Sequence, residues 1–151
     1  MKYVKRKEYL DFLNRHRGKK IIKIVSGVRR SGKSTLFELF KDELRAEGIQ
    51  SDQLITMNFE DMDNEPYLQA DKLYHHISKL LIPNKMNYVF LDEIQNVDHF
   101  EKAVNSLFLK DNVDLYLTGS NAYFLSSDIA TVLSGRYVEL KMLPLSFKEY
   151  V

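Results

Sequence analysis

Cysteine is missing from this 151-residue chain. That excludes disulfides and thiolate metal sites and is compatible with a cytoplasmic protein. Long apolar runs are missing too: no stretch approaches the ~18 residues that a membrane-spanning helix requires. The N-terminal residues Met1 to Glu8 include several bases but no apolar segment behind them, so they do not read as a secretory signal. The histidines do not form a metal set. His75 and His76 are adjacent and cannot share one helix face, and His16 and His99 lack ligand spacing. No internal repeat or low-complexity segment interrupts the chain. What is present, 44% hydrophobic and 28% charged residues, is the composition of a soluble globular domain large enough to bury a core.

The net charge of +1 hides an asymmetry. Residues 1–30 hold eleven Lys and Arg against two acids, a balance of +9. The remainder holds 22 − 11 = 11 bases against 21 − 2 = 19 acids, a balance of −8. A basic N-terminal segment of this kind can bind nucleic acid, raise the local potential for a nucleotide, or serve only as a solvated helix face. No aromatic-interleaved stripe or base-reading motif selects the first.

Hydrophobic patterning alternates between strand and helix. Residues 3–17, with Tyr3, Tyr9, Phe12 and Leu13 among charges, suit a lead-in helix. Ile- and Val-rich Lys20–Ser26 reads as a strand. Lys33–Glu47 carries Leu36, Phe37, Phe40 and Leu44 at helical spacing, with Gly48 placed to stop it. Leu54–Phe59 is a second strand, and Leu73, Ile77, Leu80 and Leu81 mark a helix closed by Pro83. Tyr88–Leu91 is a continuous apolar run, expected for a strand buried on both faces. Asp98 and Glu101 resemble a capping box opening a helix with the stripe Phe100, Ala103, Val104, Leu107 and Phe108. Val113–Leu117 and Tyr137–Met142 complete the strands. Helical material is expected at about 121–133, with Gly135 after it, and again at 146–150. Strands alternating with helices predict an α/β domain with a parallel sheet.

Between the first strand and its helix lies Gly27-Val28-Arg29-Arg30-Ser31-Gly32-Lys33-Ser34, a complete G-x-x-x-x-G-K-[ST] phosphate loop. Glycines let successive backbone N–H groups turn inward on phosphates. Lys33 supplies a charge to the β/γ oxygens, and the Ser34 hydroxyl is a ligand for Mg²⁺. The helix that follows, with Thr35 in its first turn, offers its N-terminal N–H groups to the same anion.

Tyr88–Glu93 is an apolar strand ending in two carboxylates. Asp92, at the edge where ligands of open α/β sheets gather, is placed to bind Mg²⁺. Glu93 is placed to deprotonate a water attacking a γ-phosphate. Nucleotide binding alone does not need this second carboxylate, so it argues for hydrolysis.

Taken with the polar end of the next strand, Thr118 to Asn121, these elements resemble the AAA+ ATPases. The resemblance is strongest to prokaryotic ATPases carrying GVRRSGKST, NFED, LDEIQ, TGS and SGR, which stand here as Gly27–Thr35, Asn58–Asp61, Leu91–Gln95, Thr118–Ser120 and Ser134–Arg136. The resemblance implies a three-layer P-loop NTPase fold with helices on both faces of a five-stranded parallel sheet of order 5-1-4-3-2. It implies ATP and Mg as ligands, contacted along Gly27–Thr35. It makes Thr118 or Asn121 the sensor group, against the simpler role of a turn residue. It offers Asn58 as a group that holds Glu93 back at rest. It makes Arg136 a candidate arginine finger acting on a neighbouring subunit, hence self-association, against the simpler role of an ion-paired arginine. Finally, it implies a helical lid and a longer C-terminal region, so a chain ending at Val151 reads as a truncated single core, residues 1–151.

Neighbouring families fit less well. Leu133–Arg136 is like the ABC-transporter signature but follows the carboxylate strand instead of preceding it. Asn84–Asn87 lacks the aspartate of a guanine-reading motif. No second acceptor site or arginine clamp supports a small-molecule phosphotransferase. The sequence therefore predicts an ATPase core in which Lys33 binds phosphates, Ser34 and Asp92 hold Mg, and Glu93 is the base. The alternative is a nucleotide-dependent switch with negligible turnover alone. A nucleic-acid or protein client stays open under both.

Overall fold

The computed structural model describes residues 2–28, 32–120, 133 and 135–142, with side chains from residue 7 onward. The chain opens with helix α1 (Lys2–His16), followed by strand β1 (Ile22–Ser26) and helix α2 (Lys33–Ala46). Strand β2 (Leu54–Asn58), helix α3 (Ala70–Leu80), strand β3 (Asn87–Asp92), helix α4 (Phe100–Phe108), strand β4 (Val113–Gly119) and strand β5 (Tyr137–Lys141) follow. The helix expected at about 121–133 lies outside the described residues except for Leu133, which stands in a turn, and the helix expected at 146–150 lies outside them entirely.

All five strands run parallel, in the order β2-β3-β4-β1-β5. Read from the other edge this is the expected 5-1-4-3-2. Strands β1, β3 and β4 bury every residue, as central strands covered on both faces must, whereas the edge strands β2 and β5 are partly exposed. On one face α3 and α4 press Leu73, Ile77, Phe100, Val104 and Leu107 against Ile24, Val89, Leu91 and Leu117. On the other, α1 and α2 bring Tyr9, Leu13, Leu36, Phe37, Phe40 and Leu44 onto Val25, Phe90 and Tyr116.

An aromatic block sets the height and direction of α2. Phe90 stacks on Tyr116 with ring centres 4.8 Å apart, and Phe37 meets Phe90 edge-on at 5.1 Å. The far end of α2 closes where Gly48 was expected to stop it. Gly48 adopts φ 101°, its N–H donates to Arg45 O at 3.0 Å, and the Ile49 N–H reaches back to Leu44 O at 3.1 Å. With α2 held at both ends, its N-terminus is aimed at the end of β1.

One local expectation is corrected. The start of α4 is not a capping box: His99, at φ 54°, is the residue before the helix and no side chain caps it. The Asp98 N–H donates to Leu68 O at 2.8 Å, and Asp98 pairs with Gln69 in an isolated bridge. That bridge holds the chain in an extended direction, so a left-handed residue must turn it into the helix.

The N-terminal ends of the central strands β1 and β4 carry a buried charge cluster. Lys23, fully buried, donates to Lys19 O at 2.9 Å and to the Asp114 carboxylate. Asp114 also accepts from the Gly18 N–H at 2.9 Å and the Tyr116 hydroxyl at 2.7 Å. Burial pushes the Lys23 ammonium below its ordinary range against the pull of Asp114, and burial beside Asp114 pushes the Tyr116 phenol up. The cluster fastens the turn after α1 to β1 and β4.

Candidate functional site

The parallel register brings four chain segments to one corner. Ser26 at the end of β1 pairs with Gly119, Val25 pairs with Thr118, and Asn58 pairs with Asp92. Gly27, directly after β1, donates its N–H to Gly119 O at 3.3 Å. Gly32 sits at φ 98°, a conformation that favours glycine, and its carbonyl accepts the first helical bond of α2 from Leu36 N–H at 2.9 Å. Arg29, Arg30 and Ser31 lie outside the described residues.

Lys33, the first residue of α2, is only 4% exposed. Its ammonium folds back into the loop, donating to Gly27 O at 2.7 Å and Val28 O at 3.3 Å. It also faces Glu93 Oε2 at 3.3 Å. The cation is thus held beneath the loop by carbonyls and one carboxylate, where an incoming phosphate would compete for it. Thr35, in the first turn of α2, is exposed.

The second centre is Asp92, 5% exposed. One of its oxygens accepts from the Ser34 hydroxyl and the other from the Thr118 hydroxyl. A hydroxyl and a carboxylate meeting at a phosphate loop are hard oxygen donors, the set that fits Mg²⁺ shared with a polyphosphate. Thr118 is fully buried and does a second job: its Oγ1 accepts the Glu93 N–H at 2.8 Å. It stands behind both carboxylate residues and orients them from within the sheet.

Glu93 leaves the strand in the left-handed region, φ 57° and ψ 51°. For a non-glycine residue this is uncommon, and such strain concentrates at functional sites. The turn brings its carboxylate to Lys33. Its other oxygen, Oε1, accepts from Gln95 Nε2 at 2.8 Å. Asn58 does not supply the tether that the resemblance suggested. Its side-chain oxygen turns back to the Glu60 N–H at 2.9 Å, because the chain bends sharply after β2.

Arg136 stands at the other end of the sheet. It directly precedes β5, and its carbonyl accepts from Ile22 N–H at 2.8 Å at the start of β1. Its exposed guanidinium lies over the Phe108 ring at 5.6 Å, and Lys20 Nζ approaches the same ring at 4.7 Å. It cannot serve the loop of its own chain from there.

Comparison with known proteins decides the family. The family model described as "AAA domain" matches residues 19–151. The chain belongs to the AAA domain family. An uncharacterized protein of Haemophilus influenzae is 42% identical over 149 residues, covering 98% of this chain and 37% of that protein. An uncharacterized protein of Methanocaldococcus jannaschii is 35% identical over 131 residues, covering 86% of this chain and 28% of its own length. The chain thus spans about a third of the length of the curated relatives it matches.

Solved structures share the fold. The Thermotoga maritima DNA polymerase III gamma subunit-related protein superposes with a TM-score of 0.62 at 13% identity, over 88% of this chain and 45% of that one. PCH-2 of Caenorhabditis elegans gives 0.58 at 17%, over 93% and 40%. DnaA of Aquifex aeolicus, solved with AMPPCP, gives 0.51 at 15%, over 89% and 44%. Family and fold together indicate a nucleotide-binding module of the ATPase class.

Within the AAA domain, the fold gathers Gly27, Gly32, Lys33, Ser34, Asp92, Glu93 and Thr118 at one corner. It separates Arg136 from them, and Asn121 lies outside the described residues. The reading of single motifs missed the side chain of Gln95. It stands at the end of the LDEIQ element, Leu91–Gln95, and a residue two positions after a sharp turn can reach back to the turn's first side chain. The described residues contain no helix long and apolar enough to cross a membrane.

Proposed function

We propose that this AAA domain binds ATP with Mg²⁺ along Gly27–Thr35 and hydrolyses it to ADP and phosphate, as the motor or switch module of a longer protein. The observation that carries the proposal is the Lys33–Glu93 pair. A phosphate-loop cation and a strand-end carboxylate, both buried, share one corner with the Ser34–Asp92 contact. Lys33 carries positive charge to the β/γ oxygens as it leaves the loop carbonyls. Ser34 and Asp92 would hold Mg²⁺, which supplies charge neutralisation on the same oxygens. Glu93 accepts a proton from water; the water oxygen bonds to the γ-phosphorus, and the bond to the bridging oxygen breaks with its electron pair leaving on ADP. Thr118 holds Asp92 and the Glu93 backbone in place, with Asn121 the further sensor candidate. Arg136, far from its own loop, would act on a neighbouring copy.

The test is a pair of variants. Lys33→Ala should abolish ATP binding by titration, and Glu93→Gln should keep binding and lose turnover. Undiminished turnover in Glu93→Gln overturns the assignment.

A second reading is favoured by one observation: both oxygens of Glu93 are engaged, by Lys33 and Gln95. A base held this way suits a switch that binds nucleotide and barely turns over alone. Near-zero turnover at every protein concentration, with intact ATP binding, would select it. Among the neighbours, Drosophila ORC is described as bound to DNA. With the basic N-terminal segment, that keeps a nucleic-acid client beside a protein client as the partner to test.

A further inference from the structure

We infer that Gln95 is a positioning residue: its carboxamide aims the Glu93 carboxylate and ties it to the end of β4. The inference rests on Glu93 being the base.

Each oxygen of Glu93 has a different kind of partner. Oε2 faces the Lys33 ammonium at 3.3 Å, a contact that phosphate would draw away. Oε1 accepts from Gln95 Nε2 at 2.8 Å, a contact that lies outside the phosphate loop and does not involve Lys33. Among the described residues, Gln95 is therefore the group left to set the carboxylate's direction when nucleotide occupies the loop. The same Nε2 lies 3.4 Å from Ser120 Oγ, directly after β4, so the tether connects the base to the strand that carries Thr118.

The backbone between the two residues is held. Ile94 is fully buried, Asn96 N–H donates to Glu93 O at 3.2 Å, and Val97 N–H donates to Ile94 O at 3.0 Å. Residues Ile94–Asn96 form a single tight 3-10 turn. The amide is oriented for Glu93 rather than for its own satisfaction: Gln95 Oε1 is buried with no hydrogen-bond partner among the described residues. A glutamine with only a packing role would use both ends. The residue type also fits. A neutral donor orients a carboxylate without neutralising it, which a lysine would do, and without repelling it, as a glutamate would.

The experiment uses the protein at its natural length, with ATP titration, steady-state turnover and thermal melting of each variant. Gln95→Leu should lower kcat about tenfold, the loss of one hydrogen bond to a charged group, with KM and ATP affinity within about twofold of the parent. Gln95→Glu, of the same shape, should lower kcat further by placing like charge against Glu93. It decides the matter if the leucine variant does not fold. Ser120→Ala should cause a smaller loss of the same kind. In a Glu93→Gln background, Gln95→Leu should leave the residual turnover unchanged, since the effect runs through Glu93. Full kcat in both Gln95 variants overturns the inference, and so does a kcat loss matched by lost affinity and a lowered melting temperature. Retained turnover in Glu93→Gln alone would instead overturn the base assignment, so the two failures are distinguishable.

Discussion

The Lys33 ammonium and the Glu93 carboxylate stand 3.3 Å apart, with side chains 4% and 8% exposed. One partner belongs to the phosphate loop and the other to the end of β3, so nucleotide binding has to break a buried ion pair before it can use the lysine. Removing the carboxylate's charge should therefore help binding while it stops hydrolysis. Glu93→Gln is expected to bind ATP about fivefold more tightly, worth about 1 kcal/mol. Turnover is expected to fall by at least ~100-fold. Titration of the variant and the parent under identical salt checks both numbers.

Thr118 joins the two carboxylate residues through one oxygen, donating to Asp92 and accepting from Glu93 N–H. Thr118→Val keeps the shape and deletes that oxygen, leaving a buried N–H without its acceptor. The expected loss is about 1–3 kcal/mol of stability, with turnover reduced. Thr118→Ser should recover most of both. Urea unfolding of the three proteins measures the first effect, and steady-state assays the second.

Lys23 and Asp114 form a buried pair near the N-terminal ends of β1 and β4, away from the loop. Breaking it from one side, as Asp114→Asn or Lys23→Met, strands the other charge and should cost about 3–5 kcal/mol. The double variant should lose less than the sum. Nucleotide affinity of whatever remains folded should be unchanged, because the cluster touches none of the described site residues. Denaturation midpoints paired with ATP titration separate the two properties.

Gly48 holds φ 101° at the end of α2 with open space where a Cβ would go. The cost of Gly48→Ala is then conformational alone, about 1 kcal/mol. A melting-temperature drop of a few degrees without loss of ATP binding is the expected result. A loss of binding would mean that the far end of α2 controls its N-terminus more tightly than the aromatic block does.

Arg136 lies at the edge opposite its own loop, its guanidinium over Phe108. If it acts on a neighbouring copy, turnover per molecule of the natural-length protein rises with concentration, and Arg136→Ala removes the rise without changing ATP affinity. Mixing inactive Arg136→Ala with inactive Glu93→Gln should then restore part of the activity, because each supplies what the other lacks. No recovery on mixing would leave the arginine with its local role at Phe108.

Much of this was legible along the chain, because the signals involved are local. A continuous apolar run such as Tyr88–Leu91 can only be a strand covered on both faces, and it is. Leu36, Phe37, Phe40 and Leu44 fall on one helix face and are buried together. What escaped was set by non-local constraint. Asp98 and Glu101 had capping-box spacing, yet a bridge to Gln69 pulled Asp98 into extended backbone and moved the turn to His99. Asn58 seemed placed to restrain Glu93, but the bend after β2 turned it toward Glu60. No local pattern links Lys23 to Asp114, which are 91 residues apart, and only the register of β1 with β4 brings them together.

The sequence by itself determined the α/β class, the loop Gly27–Ser34 and the two carboxylates that face it, because each follows from residue type at short spacing. Tertiary structure decided the rest. Strand order put Thr118 behind Asp92, and a left-handed turn at Glu93 sent its carboxylate to Lys33 and Gln95. The position of β5 carried Arg136 to the opposite edge. Those outcomes depend on which strands are neighbours and in what register, and hydrogen bonding across a sheet settles that between segments no local pattern connects.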